Sequence, residues 1–206
     1  MPALVKAYQN IQLLQDEYWR DLKLQQITEI IEACAGLYLE ASANTSSTSP
    51  GSTIEINIEA LNRSNSPITL NNYKVSTDTK VISKDLVLAA NQKHNLKEQV
   101  IIGSNLKPTT PYWLERKGTL GMYEVNDQNL IGHPETPRTV RVSFDLSIHG
   151  SPISITKDVV YRYSKPDKGE LYKPFEIIPE VSAKISDKVF IFETDQQKDI
   201  EVIVTA

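Results

Sequence analysis

The hydrophobic period changes once along this chain, between residues 36 and 37, and that change limits the folds open to it. Up to residue 36, apolar side chains recur three and four apart. Leu4, Ala7, Ile11, Leu14 and Tyr18 form one stripe, and Leu24, Ile27, Ile30, Ile31 and Cys34 a second. That spacing lines one face of an α-helix. Asp16 is placed to interrupt the first helix and cap the second, and Gly36 to end the second in a left-handed conformation. Residues 1–36 therefore read as a helical hairpin or one bent helix. A hairpin of this size cannot bury both stripes by itself, so it must pack on the rest of the chain or on a partner. Tyr18-Trp19, at the joint, is expected to anchor it to the β region, and Cys34 to be a buried structural thiol.

From residue 37 onward the period is two. Ile54, Ile56, Ile58 and Ala60 alternate with Glu55, Asn57 and Glu59, the pattern of a half-buried strand. Residues 42–53, rich in Ser, Thr and Asn around Pro50-Gly51, read as a flexible linker. Further strands are expected at 68–70, 73–75, 86–89, 99–102, 140–148, 153–155, 159–163, 181–185, 189–192 and 200–204. No strand–helix alternation follows residue 37, which argues against a parallel α/β sheet. An internal repeat adds to this. Thr53-Ile-Glu-Ile-Asn-Ile-Glu59 aligns with Thr139-Val-Arg-Val-Ser-Phe-Asp145, and Ser66-Pro-Ile-Thr-Leu70 with Ser151-Pro-Ile-Ser-Ile155. A spacing of about 85 residues is the size of a small immunoglobulin-like sandwich. The expected architecture is mainly β: a helical connector (1–36) and two tandem immunoglobulin-like antiparallel sandwiches (37–107 and 108–206).

Composition closes off several functions. The 206 residues, 40% of them hydrophobic, are enough for a sizeable core. No apolar run approaches the ~18 residues of a membrane span. A formal net charge of −4 lacks the basic footprint of a nucleic-acid binder. The single cysteine excludes an internal disulfide framework. No basic segment followed by a long apolar one marks a signal peptide at the start.

Candidate chemistry is sparse. Gly132-His-Pro-Glu-Thr136 pairs an imidazole with a carboxylate, as a hydrolytic zinc site would. Three protein ligands are needed, however, and only His94 and His149 remain as other imidazoles. The segment reads as a proline-bracketed surface loop. Asp167 and Glu170 sit on a lysine-flanked hairpin tip, a solvated setting rather than the cleft that acid–base work needs. No nucleophile elbow, phosphate loop or calcium loop occurs. No catalytic residue, metal ligand or cofactor site is assigned. Tyr112 and Trp113, in Pro111-Tyr-Trp-Leu114, are the only adjacent aromatic pair of the β region. They either stack on a sugar ring or a proline-rich peptide, or fill the gap between the two sandwiches, the simpler role.

Several blocks form a familiar set. Residues 24–36 leading into Leu37-Tyr-Leu-Glu-Ala41, then Pro50-Gly51 and the strand at 54–62, resemble the region downstream of the catalytic domain in long PIG-L (LmbE-like) deacetylases. Pro111-Tyr-Trp-Leu114, Gly132-His-Pro134, the strand at 140–150 and Gly169-Glu-Leu-Tyr-Lys-Pro174 look like further landmarks of that region. Enzymes of the family are zinc-dependent hydrolases that remove N-acetyl groups from N-acetylglucosamine-type sugars. Gly132-His-Pro-Glu135 echoes the family's Pro-His-Pro-Asp-Asp metal motif but lacks the buried strand that should precede it. The resemblance therefore implies a non-catalytic accessory module, structural or targeting, of a periplasmic or secreted deacetylase. Its partners would be the catalytic domain lying upstream in the parent protein and cell-wall or other glycans, with weak carbohydrate contacts of its own. The alternative is an adhesion-type immunoglobulin-like module that binds protein and never touches sugar.

Overall fold

A computed structural model describes residues 1–77, 81–187, 189–192 and 197–205. Two helices open the chain, α1 (Pro2–Gln12) and α2 (Glu17–Ala35). The joint is built as the sequence implies. Asp16 accepts a hydrogen bond from the Trp19 backbone N–H at 3.1 Å, and Gly36 ends α2 with φ +56°. The expected stripes face the core in part: Ile27 and Ile31 are buried, and Leu4, Ala7, Ile11 and Leu24 pack against it. Val5 and Tyr8 of α1 and Ile27, Ile31 and Ala35 of α2 are buried, whereas Leu14, Ile30 and Cys34 are exposed. Tyr18 and Trp19 do not anchor the hairpin: they are 69% and 51% exposed and meet edge-to-face at the outer corner of the helical joint.

The β region consists of β1 (Leu37–Ala43), β2 (Ser47–Thr48), β3 (Thr53–Asn62), β4 (Ile68–Val75), β5 (Val81–Val87) and β6 (Lys93–Ile101), followed by a long connection over residues 102–140. Then come β7 (Arg141–Ile148), β8 (Ser151–Lys165), β9 (Gly169–Pro174), β10 (Glu176–Ile177), β11 (Ser182–Ile185) and β12 (Val202–Thr205). Eight strands form one curled mixed sheet in the order β5-β4-β7-β8-β1-β3-β6, with β9 also paired to β8. The strand expected at 189–192 is not formed.

The two tandem sandwiches of the sequence reading are not the arrangement that the strands draw. β4 pairs antiparallel with β7 from Ile68↔Ile148 to Val75↔Val142, so strands from either side of residue 107 share one ladder. The two halves of the repeat, β3–β4 and β7–β8, meet inside that one sheet. The physical reason is that alternation fixes which face of a strand is buried and leaves its partner open. Residues 42–53 are likewise not a linker: β1 runs to Ala43, and β2 pairs in parallel with β10.

One core fills the curl. Ile54, Ile56, Ile58 and Ala60 of β3 face Leu70 and Tyr73 of β4, Val142, Phe144 and Leu146 of β7, and Ile153 and Ile155 of β8 in a single buried cluster that also takes in the helical residues. The curl nearly closes on itself. Tyr73 of β4 donates its hydroxyl proton to Glu98 of β6, and Lys84 of β5 lies 3.8 Å from the same carboxylate. The sheet's two ends are thereby tied together across the interior.

Candidate functional site

The connection between β6 and β7 is held by a few polar contacts, and these carry Tyr112 and Trp113. Thr109 N–H donates to the Ile177 carbonyl at 2.7 Å and Thr109 Oγ1 accepts from Ile177 N–H at 2.9 Å, which lays the loop along β10. Thr136 Oγ1 donates to the Thr110 carbonyl at 3.0 Å and accepts from Tyr112 N–H at 2.9 Å, crossing the loop's two arms. Tyr112 and Trp113 then form a short 3₁₀ turn, Tyr112–Leu114. Both are half-buried, so neither is the core plug that the packing reading expects. Their rings stand perpendicular, 89° apart with centroids 4.8 Å apart. Two rings so set cannot make a flat platform; only one can lie against a planar ligand. Tyr112 is committed, its hydroxyl donating to the His133 carbonyl at 3.1 Å.

Trp113 opens onto a cleft of about 250 Å³ walled by Thr109, Thr110, Pro111, Glu135, Thr136, Arg138, Pro174 and Glu176. Arg138, its side chain only 14% exposed, is ion-paired to Glu135 and lies 3.7 Å from Glu176. The cleft thus combines one indole, three hydroxyls, two carboxylates and a guanidinium held in place by both. Such a set can offer hydrogen bonds and ring contact; among the described residues the Thr109, Thr110 and Thr136 hydroxyls bond to backbone groups. Glu135 and Thr136 were within the Gly132–Thr136 motif that the sequence singled out, although for a different chemistry. Arg138 and Glu176 carried no signal, because 38 residues separate them and only the β10 contact brings them together.

The other sequence candidates lie apart. His94 is on β6, His133 in the long loop, and His149 in the β7–β8 turn with φ +48°. Among the described residues no three His, Cys, Asp or Glu side chains are grouped as metal ligands. Glu170 is engaged: Tyr172 donates to it, and that bond, followed by burial, raises the Tyr172 pKa.

The outer face of the sheet holds the densest charge cluster. Arg162 of β8 lies 3.1 Å from Glu40 of β1, 3.4 Å from Glu59 of β3 and 3.9 Å from Glu170 of β9. Lys93 meets Glu59 at 2.7 Å, and Tyr38 donates to Glu40. Burial, and then that hydrogen bond, raise the Tyr38 pKa well above its usual value. Two cations thus bridge three carboxylates, as in a strand-linking network.

The fold and site thus define a mainly β protein with two N-terminal helices and a small polar cleft. No family model matches the chain, and no curated protein matches it in sequence. A solved structure that it is similar to, the Pseudomonas fluorescens alkylpurine DNA glycosylase AlkC bound to DNA containing an abasic site analog, shares 11% identity. That match covers 74% of this chain and 41% of the other at a TM-score of 0.29, too low to carry any argument.

Proposed function

We propose that this chain is a non-catalytic accessory module that supports or targets a catalytic partner and makes weak contacts to glycans. The observation that carries the reading is the Trp113 cleft, where an indole shares the walls with hydroxyl, carboxylate and guanidinium groups, a set suited to a sugar ring. The immunoglobulin-like part of the reading rests on the period-two pattern and the repeat in the sequence, beside a strand set that forms one curled mixed sheet. The sequence landmarks shared with the region downstream of PIG-L (LmbE-like) catalytic domains make a periplasmic or secreted N-acetylglucosaminyl deacetylase the partner of choice.

The test is a tryptophan-fluorescence titration with N-acetylglucosamine oligomers and soluble cell-wall fragments, comparing the chain with its Trp113→Ala variant. A saturable change lost in the variant supports the reading. No change in the native chain, with the variant merely less stable, leaves Trp113 a packing residue.

A second reading, a protein-binding module without glycan contacts, is favoured by the C-terminal hairpin. β11 and β12 pair so that Ala183, Ile185, Val202 and Val204 share one face, and all four are exposed. A lone two-stranded hairpin is marginal in water, and an uncovered apolar face is what a partner would bury.

A further inference from the structure

A cleft of about 680 Å³ lies between α2 and the first half of β8, away from Trp113. Its β wall is a strand edge. Residues 151–158 of β8 pair with β7 on one side, but β1 joins the other side only at Val159, Val160 and Tyr161. Among the described residues no strand pairs with that other edge from 151 to 158.

The phase of the edge follows from two facts. Pro152 stands opposite Ser147 and has no N–H, so its backbone polar groups turn away from β7. Val159 N–H donates to the Val140 carbonyl at 3.0 Å, on the β7 side. Even-numbered residues of this stretch therefore aim their N–H and C=O groups at the cleft, and odd-numbered ones at β7. Tyr8 lines the cleft beside Ser154. The Ser154 carbonyl and both backbone groups of Thr156 have no protein partner among the described residues.

The facing wall gives this edge a preference. Lys157 is ion-paired with Glu32, and Arg141 lies 3.1 Å from Asp158. Glu29 has no ion pair among the described residues and only accepts a hydrogen bond from Gln25 at 3.1 Å. One net negative charge thus faces the edge. We propose that the free edge of β8 at Ser154–Thr156 takes up an extended peptide segment of a partner protein as an added strand, with a basic side chain of that segment set against Glu29. Main-chain bonds would anchor the segment, as in other cases of strand addition, and Glu29 would select it.

The experiment is amide hydrogen exchange by NMR on the full chain, with and without the blocked peptide acetyl-Thr-Lys-Thr-Val-Thr-amide. In the free chain Thr156 should exchange at least about tenfold faster than Ile155 and Lys157, whose N–H groups face β7. Adding peptide should slow Thr156 saturably. Replacing the peptide lysine by glutamate, or Glu29 by lysine, should weaken binding several-fold, and methylating alternate peptide nitrogens should abolish it. Trp113→Ala should leave all of this unchanged, which separates the proposal from the glycan reading. Thr156 protected like its neighbours in the free chain, no saturable shift up to millimolar peptide, or binding that leaves Thr156 exchange unaltered would each overturn it.

Discussion

Glu40 and Glu59 stand directly opposite one another in the β1–β3 register, and the guanidinium of Arg162 reaches both, at 3.1 and 3.4 Å. Like charges facing across a ladder destabilise a sheet unless a cation lies between them. Both carboxylates are nearly out of water, so the cost of leaving them uncompensated is high. Arg162→Ala is expected to lower unfolding stability by about 2–4 kcal/mol. Glu59→Gln, which removes one of the two facing charges and keeps Arg162, should cost much less. Urea unfolding of the two variants checks the order.

Asn62 is expected to be the least replaceable polar residue of the β region. It is 1% exposed and fully used. Its amide donates to the Ser66 and Leu88 carbonyls, both at 2.9 Å, and its oxygen accepts from the Ser64 N–H and hydroxyl, both at 3.0 Å. One side chain thus fixes the β3–β4 turn and the segment after β5. Asn62→Ala should cost about 2–4 kcal/mol, since buried carbonyls lose their donors. The denaturant midpoint should fall without a large change in slope.

Tyr73 sets an alkaline limit. Burial, followed by its hydrogen bond to Glu98, raises its pKa well above the usual value near 10. The folded state then keeps a proton that the unfolded state releases, so this contribution is complete below about pH 10 and is lost as pH rises beyond it. Stability should fall by up to about 1.4 kcal/mol per pH unit there from this residue alone. In Tyr73→Phe the slope above pH 10 should be shallower, whatever the variant's stability at neutral pH. Urea unfolding at a series of pH values from 8 to 11 measures it.

Cys34 should react in the folded protein. The core-facing line of α2 runs through Ile27, Ile31 and Ala35, which leaves Cys34 exposed beside it. Ellman's reagent should therefore modify one thiol per native chain within minutes, at the rate seen in denaturant to within about tenfold. Protection until unfolding would mean that a partner or a second copy covers that flank.

Much of the local structure was legible in the residues. The change of period at Gly36 marks where α2 gives way to β1, Asp16 and Gly36 are the caps that their types suggest, and the inward residues of β3 and β7 are those that alternation selects. The helical faces were legible at Leu4, Ala7, Ile11, Leu24, Ile27 and Ile31, whereas Leu14, Tyr18, Ile30 and Cys34 turn to solvent. Two separate stretches at 153–155 and 159–163 are one strand, β8, because its middle passes from one set of neighbours to another. The candidate aromatics were found, but the perpendicular set of their rings and the Arg138 pairs beside Trp113 were not.

What the sequence by itself determined is therefore local: element type, caps and buried faces, all set by side chains within a few residues of each other. Strand pairing was decided only by the tertiary structure. The Ser-Pro-Ile repeat suggested two tandem sandwiches, and instead β4 lies beside β7 and the sheet's two ends meet at Tyr73 and Glu98. Period-two patterning gives every such strand the same kind of buried face, so partner choice falls to the shape of one shared core and to contacts between residues far apart in the chain.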